Sequence, residues 1–123
     1  MANILVVEDN DDVREMMAVT LELEGHEVTT ATNGRDALNQ LRAGHRPCVI
    51  LLDLMMPIMN GWEFRRALES DPMLKTVPVV IVSAATAELI QTTDAAAYLP
   101  KPLDMEQLLH VVGGFCDGCA GIS

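Results

Sequence analysis

The sequence predicts an α/β domain, a doubly wound five-stranded parallel sheet flanked by five helices. Three observations lead there. Short apolar runs alternate with stretches of helical periodicity along the chain. The runs at 4–7 and 49–52 are continuously apolar rather than alternating, the pattern of strands buried on both faces of a parallel sheet. The chain has 123 residues, half of them apolar, with no repeat, low-complexity tract or linker, so residues 1–123 read as one domain able to bury a core.

In order, Asn3–Val7 is the first strand. Val13, Met16, Met17, Thr20 and Leu21 follow helical spacing, and Gly25 ends that helix. Asp11 and Asp12 read as solvated N-cap residues favoured by the helix dipole. Glu27–Ala31 is a second, more polar strand suited to an edge. Ala37, Leu38 and Leu41 mark a second helix, closed by Gly44 and Pro47. Cys48–Asp53 is the strongest strand. Trp62 to Leu68 is a third helix, entered through Asn60-Gly61. Val77–Ser83 is the fourth strand, 87–92 a short fourth helix and Ala96–Leu99 the fifth strand. Met105, Leu108, Leu109 and Val112 give a final helix.

Composition narrows the function. There are 8 basic against 18 acidic side chains, a net charge of −10. That argues against direct contact with nucleic acid or an anionic membrane, and favours a cation or a basic protein surface. No apolar run reaches the roughly 20 residues of a membrane span. Acidic residues follow the run 4–7 at once, unlike a signal peptide. The expected compartment is the cytoplasm. Three cysteines make no disulfide framework. Cys48 reads as core. Cys116 and Cys119 form a C-x-x-C, but no second cysteine or histidine pair completes four ligands. With only four aromatic residues, aliphatic side chains and methionines must fill the interior, and the Met16-Met17 and Met55-Met56-Met59 patches read as core and loop packing. His26, His45 and His110 read as surface residues away from the acidic ones.

In an open parallel sheet, ligands bind beyond the carboxyl ends of the strands. Those ends carry Glu8-Asp9, Asp53, Ser83 and Lys101. Two unit charges 4 Å apart repel by about 4 kcal/mol at an effective dielectric of ~20, so three carboxylates need a cation. An all-oxygen, carboxylate-rich site suits Mg²⁺, or Mn²⁺ in its place. Lys101 adds a positive charge that would pair with Asp53 at rest, and the Ser83 hydroxyl can donate to a phosphoryl oxygen. An oxygen nucleophile, a metal and fixed positive charge are what phosphoryl transfer requires. Taken singly, each residue has a blander explanation: a turn, a cap or a surface lysine. Their arrival at four strand ends is what argues for chemistry.

These residues resemble the receiver domain of bacterial response regulators over nearly the whole chain. V-E-D-N at 7–10 is similar to the family's acidic pair, and D-L-M-M-P-I-M-N-G at 53–61 to its most specific stretch. V-S-A at 82–84 is similar to its Thr/Ser-Ala element, and Y-L-P-K-P at 98–102 to its aromatic-x-x-Lys-Pro element. The resemblance implies a flavodoxin-like fold of receiver type with Asp53 as phosphoacceptor. It implies Mg²⁺ held by Asp9, Asp53 and the Met55 backbone carbonyl, with Glu8 acting largely through water. It also implies Lys101 on the phosphoryl group, a cis bond before Pro102, and Ser83 and Tyr98 as a switch pair. The implied partners are a sensor histidine kinase or phosphotransfer protein and a downstream protein that reads the surface of the fourth helix, fifth strand and fifth helix. The resemblance leaves room for a phosphorylation-dependent homodimer.

The chain departs from the family pattern between Ser83 and Lys101. That stretch is shorter than usual, which implies a shortened fourth helix. Thr93-Asp94-Ala95-Ala96-Ala97 replaces the usual glycine, and Pro100 precedes Lys101. Met55 and Ala85 flank the expected path of a hydrolytic water and cannot orient it, so a long-lived phosphoryl group is expected. Three rivals stand beside this reading. An aspartate-nucleophile phosphatase would need a second Asp where Met55 stands. A flavin or nucleotide binder would need a Gly-rich loop that is absent. A degenerate receiver would act only as an interaction module, although Glu8, Asp9, Asp53, Ser83 and Lys101 are all present.

Overall fold

The computed structural model describes residues 3–54, 58–83, 97–101 and 104–120. Strand β1 is Asn3–Val7, followed by helix α1 (Asp11–Leu23), strand β2 (Glu27–Ala31), helix α2 (Gly34–Arg42) and strand β3 (Val49–Leu52). Helix α3 (Gly61–Glu69), strand β4 (Val79–Ser83), strand β5 (Ala97–Pro100) and helix α4 (Met105–Ala120) complete the described elements. The five strands are all parallel, in the order β2-β1-β3-β4-β5. The polar strand β2 is at an edge, as its sequence predicts. The short helix expected at 87–92, the Met55 carbonyl, Ala85 and the bond to Pro102 lie outside the described residues, as do the side chains of Cys116 and Cys119.

Strand alternation builds two cores. Leu5, Val7, Ile50, Leu52 and Ile81 face α2 and α3, where Leu38, Leu41, Phe64 and Leu68 meet them. Ile4, Val6, Val49, Leu51, Val80 and Val82 face α1 and α4, against Met17, Leu21, Leu108 and Val112. Covering both faces is why the central strands read as unbroken apolar runs. α1 and α2 stop where Gly25 and Gly44 take positive φ.

Several boundaries differ from the sequence expectation. β4 begins at Val79 because the Val77 N–H bonds back to the Leu74 carbonyl and Pro78 has no donor. β3 is one residue shorter at each end, although the Cys48 and Asp53 N–H groups still bond to Asn3 and Val7 of β1. Pro100 sits inside β5, where it costs the ladder nothing. The neighbouring Lys101 N–H bonds the Ser83 carbonyl of β4, so the Pro100 nitrogen faces the open edge. Cys48 is only half-buried. Met17 is core but Met16 is exposed, since the apolar stripe of α1 is wider than the surface it covers. His110 is exposed, whereas His26 and His45 are half-buried in the turns before β2 and β3, at the opposite end of the strands from the acidic residues.

Candidate functional site

Four strand ends deliver side chains to one rim. Beyond β1 the Glu8 N–H donates to the Ala31 carbonyl at 3.1 Å, and the Asp53 N–H donates to the Val7 carbonyl at 3.0 Å. Both residues therefore leave the sheet from fixed main-chain positions. Glu8, Asp9 and Asp53 each offer a carboxylate oxygen, and these lie within 4.8 Å of one another. Glu8 and Asp53 are buried and Asp9 is exposed. Lys101 leaves β5 held by its N–H to the Ser83 carbonyl. Its ammonium donates to Glu8 Oε1 at 2.6 Å and to Asp53 Oδ2 at 3.3 Å. Ser83 ends β4 fully buried, while Tyr98 on β5 is 37% exposed. The resting ion pair is thus closer to Glu8 than to Asp53, a preference the spacing of the sequence does not carry.

Charge at this rim is unbalanced, with three carboxylates facing one ammonium. Burial pushes the Glu8 carboxyl up from 4.5 to about 7, and Asp53 adds to the rise, while Lys101 and the Asn10 N–H oppose it. For Lys101, burial works against the charged form, but the Glu8 and Asp53 carboxylates outweigh it and raise its pKa above 10.5. Burial first, and the Asp53 carboxylate second, thus favour the protonated form of Glu8. The donor set, carboxylate oxygens alone among the described side chains, fits a hard divalent cation.

The loops that carry these groups are locally determined. Asn10, rather than Asp11 or Asp12, caps α1, its side chain accepting from the Val13 N–H at 3.0 Å. The Asn10 N–H itself donates to Glu8 Oε2 at 3.2 Å. Asp11 and Asp12 fall in the first turn, where the helix dipole favours them. At the other loop, Asn60 and Glu63 form a capping box at the start of α3. Gly61 packs directly on the Asp53-Leu54 segment, since a Cβ there would sit 2.7 Å from Leu54 Cα and 2.9 Å from the Asp53 carbonyl oxygen. Arg14 escaped the sequence reading. Its guanidinium donates to the Glu8 carbonyl at 3.0 Å and pairs with Asp11. The i, i+3 spacing of Asp11 and Arg14 signals only the second of those contacts.

Comparison with known proteins agrees with this architecture. A family model, the response regulator receiver domain, matches residues 4–113. Protein PilH of Pseudomonas aeruginosa is 34% identical over 122 residues, covering 96% of this chain and all of PilH. Response regulator MprA of Mycolicibacterium vanbaalenii is 40% identical over 110 residues, 86% of this chain, but the match spans only 46% of MprA. Among solved structures, the chemotaxis protein CheY4 of Vibrio cholerae superposes with a TM-score of 0.85 at 34% identity, covering 94% of this chain and 98% of CheY4. The chain belongs to the response regulator receiver family, the signalling domains of two-component and chemotaxis-type regulators.

Proposed function

We propose that this receiver accepts a phosphoryl group on Asp53 in a Mg²⁺-dependent transfer from the phosphohistidine of a histidine kinase or phosphotransfer protein, or from a small phosphodonor. The observation that carries the reading is the Lys101 ammonium bridging Glu8 and Asp53, with Asp9 alongside. Asp9 and Asp53 would hold the cation directly, with the Met55 carbonyl, and Glu8 would support it. When bound, the cation neutralises charge on the phosphoryl oxygens. The side chains do the rest. An Asp53 carboxylate oxygen attacks phosphorus, and the P–N bond of a phosphohistidine breaks with its electron pair returning to the imidazole ring, or the P–O bond of acetyl phosphate breaks with its pair leaving on acetate. Lys101 exchanges its hydrogen bond to Asp53 for one to a phosphoryl oxygen, keeping positive charge against the three oxygens.

The new group adds roughly −1.5 to −2 of charge and three strong acceptors. The Ser83 hydroxyl turns toward them and the exposed Tyr98 ring moves inward, shifting the population between two packings of the surface near β5 and α4. A downstream protein, or a second copy of this chain, reads that surface.

Incubation with acetyl phosphate and Mg²⁺ tests the reading. The intact protein should gain the mass of one phosphoryl group, lost on treatment with base, and Asp53→Asn should gain none. A folded wild-type protein that stays unlabelled would overturn it, leaving an interaction module independent of phosphorylation.

A further inference from the structure

We infer that Arg14 is a positioning residue for the cation site, holding the Glu8-Asp9 segment in its ligating geometry from outside the site. The inference rests on the cation reading of the acidic rim. Past Val7 the chain leaves the sheet. The Glu8 N–H still reaches Ala31, but the Glu8 carbonyl has left the ladder. Arg14 Nη1 supplies the hydrogen bond at 3.0 Å, reaching back six residues from the first turns of α1. Arg14 Nη2 pairs with Asp11, and the Arg14 N–H bonds the Asn10 carbonyl at 2.9 Å. The guanidinium thus fastens the loop at Glu8 and Asp11, while the main-chain bond to Asn10 is the helix's own first i→i−4 bond. The Arg14 side chain is 18% exposed, with the bond to the Glu8 carbonyl partly buried and the pair with Asp11 at the surface.

The consequence falls on Asp9. The Glu8 carboxylate is tied at both oxygens, by Lys101 and by the Asn10 N–H. Asp9 is exposed, and the main chain on either side sets where its carboxylate points. That main chain is what Arg14 clamps. An outer partner that orients ligands affects affinity by about 10–100-fold when removed. Positioning and plain electrostatics also predict opposite signs. As a cation beside a cation site, Arg14 repels the incoming ion, so deleting it should tighten binding if charge were its only influence.

The experiment measures Mn²⁺ affinity of the full chain by EPR of free Mn²⁺, with Mg²⁺ competition, well below the melting temperature of each variant. Cation-free melting is recorded separately. Arg14→Ala should weaken Mn²⁺ binding by about tenfold. Arg14→Lys, which keeps the charge but lacks the two-nitrogen fork, should fall between Ala and wild type. Asp11→Asn should weaken binding less than Arg14→Ala, although it removes a negative charge whose loss from a cation site matters in the same direction. If Arg14→Ala fails to fold, Arg14→Lys carries the test. Binding by the Arg variants equal to or tighter than wild type, with only the melting temperature lowered, would assign Arg14 to structure and overturn the inference while leaving the cation site standing. A wild-type protein that binds no Mn²⁺ overturns both.

Discussion

Glu8 is the residue on which the resting site turns. It is almost fully buried, hydrogen-bonded to Lys101 and to the Asn10 N–H, and yet its carboxyl is pushed up to about 7, first by burial and then by Asp53. In the unfolded chain Glu8 ionises near its ordinary value of 4.5. Between that value and about 7 the folded protein holds a proton that the unfolded chain has released. Folding stability from this group is therefore greatest below 4.5 and is lost as pH rises toward 7, a change of roughly 3 kcal/mol. Urea denaturation across that range without divalent cations should show the decline, and Glu8→Gln, which cannot ionise, should flatten it. A slope unchanged in the Gln variant would mean that Glu8 ionises normally in the fold. Mg²⁺ should oppose the decline, because it favours ionised carboxylates and its affinity rises over the same window.

At the scale of elements, β3 and α3 place Asp53, and their contact is a close approach of main chains. Gly61 begins α3, donates its N–H to the Leu54 carbonyl at 3.0 Å, and leaves no room for a Cβ against Leu54 and the Asp53 carbonyl. The atoms in the way are largely backbone, so Gly61→Ala must shift either the helix or the turn after Asp53. A loss of about 1–3 kcal/mol in urea denaturation is expected, together with slower labelling by acetyl phosphate. Full stability with normal labelling would show that the turn yields freely. Gly61 was legible beforehand only as a helix entry, because a sequence does not reveal that two backbones touch. The strands were more legible, each buried one being a run of aliphatic residues, but their ends depend on single hydrogen bonds such as Val77 to Leu74. The α1 cap was ambiguous because Asn10, Asp11 and Asp12 all suit the position. Asn10 takes it with extended backbone, φ −77° and ψ 117°. The clamp from Arg14 to the Glu8 carbonyl was illegible, since it depends on the path of the loop between them.

Across the whole molecule, the strand order makes the site. β1 and β3 are neighbours at the centre of the sheet, with β2 on one side and β4 and β5 on the other, so the chain reverses its winding beside them. Glu8, Asp9 and Asp53 emerge at that reversal, where an open parallel sheet has its crevice. The acidic rim could be read from the sequence because the strands end in its residues. How Lys101 divides itself between Glu8 and Asp53 could not, because that depends on how β5 packs beside β4. With a net charge of −10, the fold carries general repulsion as well as the local crowding at this rim. A divalent cation that binds the native state should stabilise it by mass action, by about 2.7 kcal/mol at a hundred times its dissociation constant. For a domain of this size that is on the order of 10 °C in melting temperature. NaCl at matched ionic strength supplies screening but no ligation, so it should give only a small part of the shift. Asp9→Asn separates the local site from the global charge. Without divalent cations it should melt no lower than wild type, since an exposed carboxylate that crowds Glu8 and Asp53 has been neutralised. With Mg²⁺ it should lose most of the wild-type gain. Equal Mg²⁺ gains in wild type and Asp9→Asn would place the stabilisation in the overall charge and remove the reason to regard the rim as a cation site.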